Sequence, residues 1–166
     1  MTDERISDLD AAIRRLPWHS GIVFRHYGLN VKARRVLFNQ VRRLARRYNH
    51  ILFLADTPLQ ARQWGADGAH HRSALVSQGL RSAAVHNVEE RIAAMRSGAD
   101  LIFVSPAFET RSHPGHSALG ASRLGLIAGT ERTRTIALGG MTMNRANGLK
   151  ALKLYGWAAI DAFSKP

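Results

Sequence analysis

The chain alternates short apolar runs with stretches of helical periodicity, and this alternation limits the folds open to it. The runs carry Ile, Val, Leu and Phe on both faces, as expected for strands buried in a parallel sheet. They predict strands at Gly21 to Phe24, Ile51 to Ala55, Gly68 to His70, Ser82 to Val85, Leu101 to Val104, Thr135 to Leu138 and Trp157 to Ile160. Strand–helix units in this order predict an α/β protein, either a (β/α) barrel or a doubly wound sheet.

Cap residues place helices between these strands. Thr57 before Pro58, Asn87 three residues before Glu90, and Thr142 each have the side chain and position of a helix N-cap. A chain of 166 residues can bury one core, so a single domain over residues 1–166 is expected. It is short for a complete eight-fold barrel, which typically needs about 250 residues.

Polar residues recur at the C-terminal ends of the predicted strands, where (β/α) barrels build their active sites. They are Arg25, Asp56, His70, His86, Ser105, Gly139 and Gly140. This recurrence favours one shared pocket over scattered surface groups.

Composition narrows the chemistry and the partners. The chain has no cysteine, which excludes disulfides, thiolate metal sites and a cysteine nucleophile. No apolar run approaches the ~20 residues of a membrane span, and no signal peptide is recognisable, so we expect a cytoplasmic protein without a membrane partner. A net charge of +12 favours an anionic partner without choosing among them.

Much of this charge lies in residues 32–47, which hold seven Lys and Arg among apolar residues at helical spacing. The pattern predicts an amphipathic helix with a basic outer face. We expect a solvated face rather than an RNA or membrane patch, because no stacking aromatics are interleaved with the arginines. Nucleic acid is therefore not an expected partner.

Four stretches, taken in order, resemble thiamine phosphate synthase and its relative the thiazole tautomerase. They are Ala55–Thr57 leading to Gly65–His70, Val85–His86, Gly98–Thr110, and Ala137–Met141. The most specific is the strand-forming run that leads into Ser105-Pro-Ala-Phe-Glu-Thr110. The resemblance implies a TIM-type (β/α) barrel, and with it a role in thiamine biosynthesis.

The same alignment implies an incomplete barrel. It places Thr2 and Asp3 at the end of the family's first strand, and no eighth helix follows Ile160. We therefore expect the first strand and the last helix to be missing or short. An open barrel exposes two strand edges, which a homo-oligomer would cover. A start site placed too late is the alternative explanation.

The family joins a pyrimidine methyl diphosphate to a thiazole phosphate and releases diphosphate, with magnesium and basic groups supporting the leaving group. By resemblance, the diphosphate-binding arm falls on Val23, Arg25 and Tyr27, where only the arginine is kept. A serine of the family falls at Ala84. Each missing donor to the developing charge commonly costs about 2.7–4 kcal/mol of barrier, so an impaired synthase reaction is expected.

The magnesium site implied by the resemblance is also depleted. The Asn-Asp pair of the family becomes Ala55-Asp56, and its second magnesium aspartate falls near Leu75. Asp56 is thus the implied metal ligand of a weakened Mg²⁺ site, the one cofactor expected. The alternative for Arg25 and Asp56 is a role in a buried or rim ion pair.

The residues that the resemblance implies for binding the phosphate monoester are better conserved in this chain than those for the diphosphate. The family's Thr-x-Thr-Lys loop becomes Thr110, Ser112 and His113, and the following glycine pair is Gly139-Gly140. These five residues, with Arg25, are the expected phosphate-binding set, because backbone amides and hydroxyls can hold an oxyanion. A tight turn with positive φ is the alternative for the glycine pair.

Arg25, His86 and His113 are the candidate catalytic residues, and a strand-end histidine with a structural role is the alternative for His86. We expect a thiamine phosphate synthase-like protein that binds a small phosphorylated thiazole- or pyrimidine-type ligand. If it is an enzyme, it is a transferase of this type. A non-catalytic phosphate-binding or regulatory barrel and a basic RNA-associated protein remain as alternatives.

Overall fold

The structure is a computed structural model that describes residues 1–71, 79–110, 117–160 and 162. Three positions discussed above, Leu75, Ser112 and His113, lie outside the described residues. The strands are β1 Gly21–Phe24, β2 Ile51–Leu54, β3 Gly68–His70, β4 Leu80–Val85, β5 Leu101–Val104, β6 Thr135–Leu138 and β7 Gly156–Ala158. The helices are α1 Leu9–Arg14, α2 Val31–Arg47, α3 Pro58–Trp64, α4 Val88–Arg96, α5 Gly120–Ala128 and α6 Met143–Gly148, with 3₁₀ turns at Arg132–Arg134 and Lys150–Leu152.

Four of the predicted strands, β1, β3, β5 and β6, have the predicted bounds. The others differ at their ends. β2 stops at Leu54 because the chain turns there, with the amide of Asp56 donating to the carbonyl of Leu54 at 2.9 Å. β4 begins at Leu80, two residues before the apolar run. β7 covers Gly156–Ala158 rather than Trp157 to Ile160, since Gly156 already pairs with Ile136.

The chain divides into two compact units. Residues 1–71 form most of the first, which contains β1 to β3 and α1 to α3. Residues 81–159 form most of the second, which contains β5 to β7, most of β4, and α4 to α6. In each unit, consecutive strands pair in parallel in chain order: β1–β2–β3 in the first and β4–β5–β6–β7 in the second.

The core of the first unit lies between its strands and α2. Phe24 of β1 meets Phe38 of α2 edge-on with ring centroids 5.4 Å apart, and Phe38 contacts Trp64 of α3 at 5.3 Å. The buried members of this core are Ile13, Ile22, Phe24, Phe38, Val41, Ala45, Leu52, Leu54, Ala61, Trp64 and Ala69. Helix α2 is therefore held by its apolar face, as its periodicity predicts.

The basic outer face of α2 is confirmed. Lys32, Arg43, Arg46 and Arg47 are exposed, whereas Phe38, Val41 and Ala45 of the same helix are buried. Asn30 begins the helix, since its side chain accepts a hydrogen bond from the amide of Ala33 at 3.0 Å.

The second unit has its own buried residues on β4, β5, β6 and α5, among them Val85, Ile102, Val104, Leu124 and Ile136. The three predicted N-caps are confirmed across the two units. Thr57, Asn87 and Thr142 each accept a hydrogen bond from the amide three residues later. These caps fix where α3, α4 and α6 begin, directly after the loops that follow β2, β4 and β6. None of the helices described is long and apolar enough to cross a bilayer.

Candidate functional site

In the first unit, Asp56 follows β2 and has both carboxylate oxygens engaged. Its Oδ2 accepts a hydrogen bond from Nη1 of Arg34 at 2.7 Å, and its Oδ1 accepts from the amide of Thr57 at 2.8 Å. Arg34 lies in the first turn of α2, so the pair joins the helix to the end of β2. The alternative role of Asp56, in an ion pair, is thus the one seen in this structure, and its partner is Arg34.

Arg34 also links the C-terminal ends of two neighbouring strands. Its Nε donates to the carbonyl of Arg25 at 2.8 Å and its Nη2 donates to the carbonyl of Ala55 at 3.0 Å. The side chain is only 10% exposed, and its guanidinium lies 5.4 Å from the ring centroid of Tyr27 and 5.5 Å from that of Trp64. Charge-assisted bonds and aromatic contacts thus hold a buried cation in one position.

Arg25 follows β1 and faces a different carboxylate. Its Nη1 lies 3.9 Å from Oδ2 of Asp3, and its side chain is 31% exposed. Asp3 in turn accepts a hydrogen bond from Nε of Arg5 at 2.6 Å. That bond lowers the pKa of Asp3 against the opposing effect of burial. Arg25 therefore has a long, weak ion pair and remains accessible to an anion.

The segment that contains Thr2 runs beside β1 and organises the loop after it. The amide of Thr2 donates to the carbonyl of Val23 at 2.8 Å, as a neighbouring strand residue would. Its hydroxyl accepts from the amide of Arg25 at 3.0 Å and lies 3.0 Å from Nδ1 of His26. The ring of His26 stacks on Phe24 with centroids 4.9 Å apart, and burial lowers the pKa of His26.

The residues present fit the magnesium site implied by the family resemblance poorly. Mg²⁺ ordinarily binds through one or two carboxylates plus substrate phosphates, and Asp56, the one implied carboxylate that remains, already accepts a hydrogen bond on each oxygen, one of them from a guanidinium. The position of the second aspartate is Leu75. Among the residues that the structure describes, no group of three or more His, Asp or Glu side chains is placed to hold a metal.

In the second unit, the loop after β5 is bound to the end of β6. The amide of Ala107 donates to the carbonyl of Leu138 at 2.7 Å, and the amide of Phe108 donates to the carbonyl of Gly139 at 3.0 Å. Gly139 has φ 96° and Gly140 has φ 60°. A Cβ on Gly139 would lie 2.9 Å from Cα of Pro106. The glycine pair is thus required by a turn and by close backbone approach.

Sequence reasoning missed a cation beside this glycine pair. Arg145, in the first turn of α6, donates a hydrogen bond from Nη1 to the carbonyl of Gly140, and its guanidinium lies 4.8 Å from the ring centroid of Phe108. The side chain is exposed. The position of Arg145 could have been predicted from the cap at Thr142, because this cap places residue 145 in the first turn of the helix that follows the glycine pair.

His86 follows β4 with its ring oriented by the neighbouring strand end. Its Nδ1 lies 2.8 Å from the carbonyl oxygen of Ser105 and 3.3 Å from the Oγ of the same residue. Because a carbonyl oxygen only accepts, Nδ1 carries the proton of the neutral ring and Nε2 can accept one. The amide of His86 donates to Oε2 of Glu90 at 2.7 Å. The residue is exposed and has the tautomer of a general base.

Thr110, the first of the predicted loop donors, is half-buried. Since Ser112 and His113 lie outside the described residues, the loop's other two predicted donors stay predictions. The expected set is thus divided by the units: Arg25 and Asp56 in the first, and His86, Thr110, Gly139 and Gly140 in the second.

Comparison with known proteins supports the fold. Thiamine phosphate pyrophosphorylase from Pyrococcus furiosus superposes with a TM-score of 0.81 at 20% identity, over 99% of this chain and 85% of that chain. Thiamine phosphate pyrophosphorylase from Bacteroides thetaiotaomicron superposes with a TM-score of 0.62 at 16% identity, over 90% and 73% of the two chains. Together with parallel strands in chain order, this likeness defines a TIM-type (β/α) barrel, and the seven strands of the described residues make it an incomplete one.

Sequence relatives identify the family within that class. A family model for thiamine monophosphate synthase matches residues 5–163. Putative thiamine-phosphate synthase 2 of Aquifex aeolicus is 29% identical over 140 residues, which cover 76% of this chain and 73% of that protein. Thiamine-phosphate synthase of Thermus thermophilus is 34% identical over 85 residues, 46% of this chain and 41% of that protein. The chain belongs to the thiamine monophosphate synthase family, a family of thiamine biosynthesis.

Proposed function

We propose that this chain binds a phosphorylated thiazole- or pyrimidine-type ligand without Mg²⁺ and has little or no transferase activity. The observation that carries the proposal is the pairing of Asp56 with Arg34 at 2.7 Å. A metal at Asp56 would have to share that carboxylate with a guanidinium that also bonds two backbone carbonyls. The guanidinium would repel the metal cation, so metal binding at Asp56 is expected to be weak.

The diphosphate-binding arm implied by the family resemblance keeps one charged residue, Arg25. Arg25 is accessible, but Val23, Tyr27 and Ala84 stand where the family resemblance implies donors. A departing diphosphate needs stabilisation that grows in the transition state, whereas a bound ligand needs only ground-state contacts. Binding is therefore expected to survive where turnover does not.

The phosphate monoester is assigned to the loops after β5 and β6 in the second unit. Arg145 supplies a permanent cation there, with Nη1 on Gly140 and its other guanidinium nitrogens available to an anion. Thr110 can add a hydroxyl donor, and the glycine pair lets an oxyanion approach the backbone. This arrangement supports binding of a phosphate group irrespective of the ring it carries.

Calorimetry with hydroxyethylthiazole phosphate in EDTA tests the binding. We expect measurable affinity for the unaltered protein and a roughly tenfold or larger weakening for Arg145→Ala, because a charge-assisted contact contributes about 1.5–3 kcal/mol. Lys150→Ala is the matched control, since Lys150 is an exposed cation just beyond α6. Equal affinity of Arg145→Ala and the unaltered protein would contradict the assignment of the phosphate site.

A coupled assay for thiamine phosphate formation tests the proposal that the chain has little or no transferase activity. With pyrimidine methyl diphosphate, thiazole phosphate and excess MgCl₂, product is expected to stay at the level of the no-protein blank. Efficient Mg²⁺-dependent turnover would show that other residues have taken over the lost roles.

A further inference from the structure

The exposed face of α2 presents cations that the fold leaves without protein partners. Two of its arginines are used internally, Arg34 by Asp56 and Arg42 by the carbonyl of Trp64 at 2.8 Å. Four others, Lys32, Arg43, Arg46 and Arg47, are exposed. Within the described parts of the chain, no hydrogen bond or ion pair engages these four side chains. Helix α2 has seventeen residues, and none of them is acidic.

These four cations form a stripe. At 100° per residue they fall within an arc of about 100°, and at 1.5 Å per residue the stripe is about 22 Å long. An array of this length is larger than a single phosphate or a mononucleotide. Its complement is therefore an extended polyanion.

An exposed aromatic group lies at the C-terminal end of α2. Trp18 is 68% exposed, and its ring meets Tyr48 edge-on with centroids 6.3 Å apart. Tyr48 directly follows Arg47 at the end of α2. Sequence reasoning set RNA aside because no aromatic is interleaved with the arginines. The fold brings Trp18 to the helix end from another part of the chain, a contact that the spacing of the sequence does not show.

We propose that this basic–aromatic surface, defined by Lys32, Arg43, Arg46, Arg47 and Trp18, binds single-stranded nucleic acid. The cations match a phosphate backbone, and the exposed indole at the end of the same helix can act as a stacking platform for a base. Such binding is tolerant of sequence because every base has a π-face.

An anionic membrane is the other macromolecule that basic helices bind, and the structure disfavours it. A membrane-surface helix inserts its apolar face into the lipid. The apolar face of α2 is already buried in the core through Phe38, Val41 and Ala45. The large apolar residues of α2 that remain exposed are Val31 and Val36, and two valines do not provide a continuous apolar face for insertion into lipid.

The phosphate-ligand proposal rests on Arg145 and the glycine pair, which belong to the second unit, whereas the residues of this surface belong to the first. The two proposals are tested with different variants and different ligands, so either can fail without the other.

Fluorescence anisotropy with a fluorescein-labelled twenty-nucleotide oligo(dT) and oligo(U), over a series of salt concentrations, tests the proposal. The triple variant Arg43→Ser, Arg46→Ser, Arg47→Ser is expected to reduce the slope of log affinity against log salt by about 2, since each neutralised phosphate contributes about 0.7. Trp18→Ala is expected to weaken affinity at least about fivefold while leaving that slope unchanged.

A charge-matched triple, Arg96→Ser, Arg132→Ser, Arg134→Ser, removes three exposed arginines from the second unit and is expected to change the slope little. Any of four results would overturn the proposal: no binding at low salt, an equal effect of the two triples, no effect of Trp18→Ala, or tighter binding to phosphatidylserine vesicles than to either oligonucleotide. Unchanged circular dichroism and melting temperature of each variant exclude misfolding as the cause.

Discussion

Arg34 and Asp56 lie 2.7 Å apart and form the ion pair that ties α2 to the end of β2. The same guanidinium holds the backbone of Arg25 and Ala55. One buried cation therefore sets the relative positions of two strand ends, and it neutralises the carboxylate that a metal would need.

Removing the cation is expected to destabilise the protein. Arg34→Met leaves Asp56 and two carbonyls without their donor, so the free energy of unfolding should fall on the order of 3 kcal/mol. Asp56→Asn should cost less, because Arg34 keeps its two carbonyl partners. Urea unfolding of both variants and of the double variant measures their coupling. Lys32→Met, on the exposed face of the same helix, should change stability by less than about 0.5 kcal/mol.

Side chains at the glycine turn are expected to be costly. Gly139→Ala places a methyl group against Pro106 at φ 96°, and the loss should be about 1–3 kcal/mol. Gly148→Ala is the matched control, because nothing lies within 4 Å of a Cβ at that position. In thermal unfolding, the melting temperature of Gly139→Ala should be far below the melting temperatures of Gly148→Ala and of the unaltered protein. Equal melting temperatures for the two variants would contradict the close approach of the loops.

Stability is expected to decrease on acidification below neutral pH. Burial lowers the pKa of His26 and His50, whereas in the unfolded chain histidine titrates near ~6.5. Below that pH the unfolded chain binds protons that the native protein does not, so the free energy of unfolding falls as pH falls. The lowered pKa of Asp3 affects stability in a more acidic range, because its contribution to the free energy of unfolding is lost only below about pH 4.

Urea unfolding at pH 7.5 and at pH 5.5 checks this pH dependence. His50→Phe, which keeps the aromatic contact with Tyr48, should reduce the loss of stability between the two pH values. His71→Gln changes an exposed histidine and should leave the loss of stability between the two pH values unchanged. A loss that is the same in all three proteins would rule out His50 as a source.

The strands and the helix starts could be predicted because their signals are local. An apolar run of four residues such as Leu101–Val104 predicts a buried strand, and an Asn or Thr before a helical pattern predicts its cap. The positions of the residues that follow the strands could be predicted from the same strand boundaries. The family resemblance rested on short motifs at those ends, and the comparisons confirm it.

The side chains that define the candidate site were harder to predict, because their roles depend on distant contacts. Arg34 is one of seven cations in its segment, and only its contact with Asp56, twenty-two residues away, distinguishes it. Arg145 is an exposed cation that only its contacts with the carbonyl of Gly140 and the ring of Phe108 connect to the candidate site. Trp18 looks isolated until the fold brings it to Tyr48.

The most direct test of the central claim is the Kd of hydroxyethylthiazole phosphate, measured by calorimetry in EDTA and again in excess MgCl₂. With Asp56 held by Arg34, the two values should agree within about twofold, a difference below 0.5 kcal/mol. Binding that appears only with Mg²⁺, or that tightens tenfold or more when it is added, would show that a metal takes part in holding the ligand and would contradict the account.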